Sequence, residues 1–151
     1  MHRWRLTALL CVAGLAGGCG GVKIAPMPVF PKALIEPIPA TVGLVLPAEQ
    51  RDYRHEETRG GTAWAVLLGA GQQRFARTVM GAMFREVREF PDVAAASADK
   101  ALQAVFEPHI EQYSFATAQE TGGEYVAVTI RYRIEVLAPD GGVNDTLTLT
   151  G

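Results

Sequence analysis

Beyond residue 19 the chain has no cysteine: the two it holds, Cys11 and Cys19, both sit near the amino terminus. The body therefore has no disulfide framework and no thiol-based metal site. An apolar run of about 18 residues, the least that reads as a membrane-spanning helix, is absent after residue 20. Neither charge sign is in excess, since 14 Lys and Arg face 16 Asp and Glu for a net −2. That excludes a general electrostatic attraction to nucleic acid. No Gly-x-Ser-x-Gly elbow is present, and Ser97 and Ser114 are the only serines, so no serine nucleophile is indicated. His55-Glu56 lacks a second histidine four residues on, which excludes the helical zinc-protease motif. Leu67 to Gln73, LLGAGQQ, lacks the third glycine and the lysine of a phosphate loop and reads as a loop entering a helix.

What is present is an ordinary globular composition, 48% apolar and 20% charged over 151 residues, enough for one folded domain. The start carries Arg3 and Arg5, then an apolar stretch from Leu6 to Ala16, then small residues. That order is a secretory signal, and its apolar part is too short to span a bilayer. Ala16-Gly17-Gly18-Cys19 resembles the lipobox of bacterial lipoproteins, with Ala16 where leucine is commoner. The resemblance implies a signal peptide at 1–18, cleavage between Gly18 and Cys19, and acyl chains on Cys19. Each buried CH₂ of such chains contributes about 0.8 kcal/mol to anchoring. In the lipoproteins that it resembles, aspartate after the cysteine directs the chain to the inner membrane, so with Gly20 there the resemblance implies the outer membrane.

Residues 19–40 read as the lipidated cysteine and a Pro-rich tether. Pro26, Pro28, Pro31, Pro37 and Pro39 remove backbone donors and fix φ, so the segment is expected to be extended, neither helix nor central strand. Its apolar residues, Ile24, Val29, Phe30, Leu34 and Ile35, exceed what a solvated spacer needs, and part of it is expected to lie against the domain.

Residues 41–151 read as a single α+β domain. Thr41 to Leu46 form a first strand, and Tyr53 to Thr58 with Thr62 to Leu67 flank a turn at Arg59-Gly60-Gly61 as a hairpin. From Gln72 to Glu89, Phe75, Val79, Met83 and Val87 recur every four residues, which predicts one amphipathic helix ended by Phe90-Pro91. Residues 92–100 are a small-residue connector. Ala104 to Phe115 is a strand whose apolar parity changes midway, which predicts a bulge near Glu111 or Gln112, with Pro108 marking an edge or that bulge. Val126, Val128, Ile130, Tyr132, Ile134 and Val136 alternate with polar residues, the pattern of a long antiparallel strand with one buried face. After the turn at Pro139-Asp140-Gly141-Gly142, Val143 to Thr150 returns with Leu147 and Leu149 inward. The expected architecture is an antiparallel-dominated sheet covered by one main amphipathic helix, in strand–helix–strand–strand–strand order.

The stretches ADKALQAVFEPHIEQYSF and YVAVTIRYRIEVLAPDGG, behind a lipobox and a Pro-rich tether, resemble the LPS-assembly lipoprotein and the amino-terminal domain of TolB. The likeness is one of pattern and carries no binding residue across. It implies a non-enzymatic, lipid-anchored protein on the periplasmic face of the outer membrane, an accessory or assembly subunit with an envelope protein as partner and no cofactor or nucleic acid. The alternative is a carrier or sensor for a lipid or other apolar ligand between helix and sheet. Glu107, His109 and Glu111 share a face at strand spacing and could coordinate a metal weakly; they read as a solvent-facing charged row, and no metal site or catalytic residue is assigned.

Overall fold

The computed structural model describes residues 21–151. Cys19, Gly18 and the signal segment lie outside the described residues. Among the described residues, eight strands and four helices follow one another as β1 (Val22–Ile24), β2 (Ile38–Val45), α1 (Ala48–Arg51), β3 (Arg54–Arg59), β4 (Thr62–Leu67), α2 (Gly69–Met83), β5 (Phe84–Phe90), α3 (Val93–Ala98), β6 (Ala104–Ala116), α4 (Ala118–Thr121), β7 (Ala127–Leu137) and β8 (Val143–Thr150). Among the described residues, no helix is long and apolar enough to cross a membrane.

The fold is α+β, as the sequence predicts, but its strands form two mixed sheets. The larger has the order β5-β2-β6-β7-β8 and the smaller β1-β4-β3. β2 runs parallel to both β5 and β6, while β6, β7 and β8 are antiparallel. The expectation of an antiparallel-dominated sheet is corrected by the second half of the expected helix. Phe84–Phe90 is not helical: Phe84 turns to φ −124°, ψ 148°, and β5 begins there. FREVREF has the period of a helix and lacks the alternation of a strand, because Phe84, Val87 and Phe90 sit three apart. Pairing with β2 decides the outcome, a tertiary override of local pattern. Nor does one helix cover the sheet alone, since α3 packs on the opposite face from α2.

Two parts of the segment read as tether belong to sheets. Val22–Ile24 forms β1 on the edge of the small sheet, and residues 38–40 open β2, which lies between β5 and β6. Between them Phe30 lies against Phe75 of α2, ring centroids 5.4 Å apart, so the segment does rest on the domain. The β3–β4 hairpin pairs Arg54 with Leu67 through Arg59 with Thr62, as its turn signal predicts.

Side-chain parity divides the large sheet. On one face Val42, Leu44 and Leu46 pack with Met80 and Phe84 under α2. Along the same face, Ile110, Tyr113 and Phe115 meet Val66 of the small sheet and Leu68 at the entry to α2. On the other face Val45, Val105 and Leu137 bury against Ala96 of α3 and Leu102. The Gly69 and Gly71 pair explains LLGAGQQ: a Cβ on Gly69 would stand 1.9 Å from the Arg51 carbonyl oxygen, and one on Gly71 would stand 3.0 Å from that of Pro26. The glycines seat the first turn of α2 on α1 and the tether.

β6 pairs with β2 only over Ala104–Phe106 and beyond that with β7 alone. Pro108 lies past that point, where its missing N–H faces an open edge. Two residues on, the Ile110 N–H points the same way and donates to the buried Gln50 Oε1 at 2.9 Å. The expected bulge falls between Ile110 and Gln112, and it changes the apolar parity from Ile110 to Tyr113.

Candidate functional site

Because α2 covers only the β2 side of its face, an apolar groove remains between the helix and the β7–β8 end of the sheet. Phe75, Ala76 and Val79 of α2 form one wall and Tyr132, Ile134 and Leu149 the other, over a floor of Leu44, Leu46 and Phe106. The cavity holds about 110 Å³. Its polar groups are few: Gln50 is committed to Ile110, and the Tyr132 hydroxyl donates to Gln72 Oε1. Burial pushes the Tyr132 phenol above its usual pKa, partly offset by the Gln72 hydrogen bond.

Leu147 and Leu149 point to the groove side, as expected, yet stay 42% and 53% exposed. β8 is the last strand of the large sheet, and among the described residues nothing pairs with its outer edge. A row of backbone donors and acceptors therefore stands unpaired beside half-exposed leucines, the arrangement that accepts an added strand. Val126 and Val128, expected on a buried face, are 52% and 47% exposed.

The opposite face of β6 and β7 carries charge. His109 and Glu107 are 14% and 17% exposed, and His109 Nε2 lies 3.5 Å from Glu107 Oε1. His109 Nε2 is fully buried and has no hydrogen-bond partner. Its Nδ1 lies 3.5 Å from Glu49 of α1. The register places Glu107 opposite Glu135 and His109 opposite Arg133. Arg133 bonds Glu135 and, at 3.2 Å, Glu111. Burial raises the pKa of the Glu107 carboxyl; the charge of His109 lowers it and those of Glu135 and Glu49 raise it further.

Glu111, grouped with Glu107 and His109 by spacing, is turned to Arg133, and Glu135 takes its place: one ligand-type atom from each of Glu107, His109 and Glu135 lies within 4.8 Å of the others. Sequence spacing could not supply Glu135, which arrives by strand pairing across a loop. His55 lies elsewhere, on the small sheet, its Nε2 3.1 Å from Glu57 Oε2 and its ring 4.9 Å from Tyr113. The His55 hydrogen bond is the largest cause holding the Glu57 carboxyl below its usual pKa. Ser97 donates to the Val93 carbonyl within α3, away from His55.

No family model matches the chain, and no curated protein matches it. Among solved structures it is similar to the crystal structure of protein XCC0632 from Xanthomonas campestris, of the family model DUF330, at a TM-score of 0.44 and 17% identity, covering 85% of this chain and 72% of that one. A TM-score and an identity this low carry neither fold nor function across.

Proposed function

We propose that the protein is a non-enzymatic lipoprotein, held by Cys19 at the periplasmic face of the outer membrane, that serves as an accessory or assembly subunit of an envelope complex. Its working surface in this reading is the outer edge of β8. The occupant is an extended segment of a partner protein, added as a sixth strand with apolar side chains alternating toward α2. The observation that supports this reading is the unpaired β8 edge beside the groove. A strand laid there extends the Tyr132–Leu149 and Ile134–Leu147 rows and covers the two leucines that the chain leaves half exposed. The backbone bonds supply affinity and the groove supplies selectivity.

Photo-crosslinking from positions 146 and 148 in intact envelopes is the test. The expected result is a discrete adduct with another envelope protein, lost in Thr148→Pro, which removes an edge donor. Adducts only between copies of this chain, or none, overturn the partner. Intact-mass measurement tests the anchor: the mature chain begins at Cys19 with added acyl mass, and Cys19→Ser lacks that mass.

A second reading, a carrier for an apolar ligand, draws on the groove's nearly unbroken apolar lining. Native mass spectrometry of protein released gently from membranes separates the two: a retained lipid mass, lost in Ala76→Trp, favours the carrier.

A further inference from the structure

We propose that Glu107, His109 and Glu135 form a binding site for a divalent transition-metal ion, with zinc the best match. Three features of the charged face carry this, and none depends on the tether or on β8.

The first is convergence. Ligand atoms of the three side chains already lie within 4.8 Å of one another, and around a zinc ion such atoms stand about 3.4 Å apart. Closing the set turns the two carboxylates inward and takes Glu135 off Arg133, while β6 and β7 hold the backbone positions by direct pairing of Glu107 with Glu135. The second is His109 Nε2, buried and without a partner. Such atoms are rare, Trp64 Nε1 being the other among the described residues, and of the two only His109 Nε2 can offer a lone pair, to which an ion between the carboxylates is the fitting partner. The Glu49 carboxylate lies 3.5 Å from Nδ1, as far as Glu107 from Nε2; once Glu107 turns to the ion, Glu49 is the carboxylate left to accept from Nδ1–H, which gives the Nε2 lone pair to the metal. This is the outer carboxylate that accompanies metal-bound histidines.

The third is charge. Glu49 and Glu107 lie against His109, Glu135 comes within reach of both ligands, and Glu111 meets Arg133, which is also bound to Glu135. Four carboxylates against one guanidinium leave a negative excess that a divalent cation offsets. One imidazole nitrogen and two carboxylate oxygens suit zinc and its transition-metal neighbours better than the all-oxygen ions magnesium and calcium.

Isothermal titration of the full chain in mild detergent with zinc chloride tests the site, with cobalt(II) absorption in the visible as a second readout. The expected result is one saturable ion per chain, little competition from magnesium, and a tenfold or greater loss of affinity in His109→Ala and in Glu135→Gln. Glu49→Gln, at an exposed position that leaves the fold intact, weakens binding by about tenfold, and His55→Ala leaves it unchanged. Absence of saturable uptake overturns the proposal. So does zinc affinity in His109→Ala, or in Glu49→Gln and Glu135→Gln together, equal to that of the parent.

Discussion

The two faces of the large sheet are covered unequally. On the α2 face the cover is broad at the β5–β2 end, where Val42 and Leu44 are 1% exposed, and stops before β8, where Leu147 and Leu149 stand half in solvent. On the α3 face the cover is one short helix over Val45, Val105 and Leu137, and beyond it the strands carry Glu86, Arg88, Glu107, His109, Arg133 and Glu135. One face ends in an apolar groove and the other in a field of paired charges. The same strands build both, because parity assigns every second residue to each side. Burial, and not residue type, therefore ought to rank the energetic importance of these positions.

The largest separation is expected between two leucines on one face. Leu44→Ala empties a closed site and costs about 2–5 kcal/mol, whereas Leu147→Ala stays within about 0.5 kcal/mol. Urea denaturation of both variants measures the difference, and comparable losses would break the distinction between covered and open ends. Next comes the edge where β6 leaves β2. Gln50→Leu removes the acceptor of the Ile110 N–H and leaves a buried donor unsatisfied, at about 1–3 kcal/mol. Denaturation measures that cost, and hydrogen exchange at Ile110 is expected to speed up in the same variant.

Those residues also mark what the sequence made legible. The alternation of β7 and the parity change in β6 were readable because each side chain's face follows from its own position, and both strands and the bulge are where the pattern puts them. β5 was not readable, since the spacing of FREVREF is that of a helix and its partner strand lies about 45 residues earlier. The charged cluster was half legible. Glu107 and His109 are neighbours by spacing, but Glu135 joins them through pairing register, and the bulge turns Glu111 to Arg133. The groove was beyond local pattern, because it depends on how far α2 extends across the sheet.

Inside the groove a smaller effect is expected. Tyr132→Phe keeps the ring and removes the hydroxyl bond to Gln72, at about 1 kcal/mol. An unchanged urea midpoint would show that water replaces the hydroxyl as the partner of Gln72, and that the groove is wetter at its Gln72 end than its apolar walls suggest.

The smallest effect belongs to the charged face, at the ion pair of Arg88 with Asp99, 2.7 Å apart. The Arg88 hydrogen bond, followed by the Ala101 N–H, holds the Asp99 carboxyl below its usual pKa. A carboxyl depressed in the folded state stabilises above its unfolded pKa, and that contribution disappears as pH falls through the folded value. The parent is therefore expected to exceed Asp99→Asn in urea midpoint at neutral pH, by a small margin because the pair is partly in solvent. The margin shrinks below about pH 4, where free aspartate takes up its proton, and it vanishes once the folded carboxyl is protonated as well. Urea titrations of both proteins across that range measure it. A margin that stays constant with pH would mean that Asp99 acts through the Ala101 turn, in which the amide oxygen of asparagine is a weaker acceptor, and not through its charge beside Arg88.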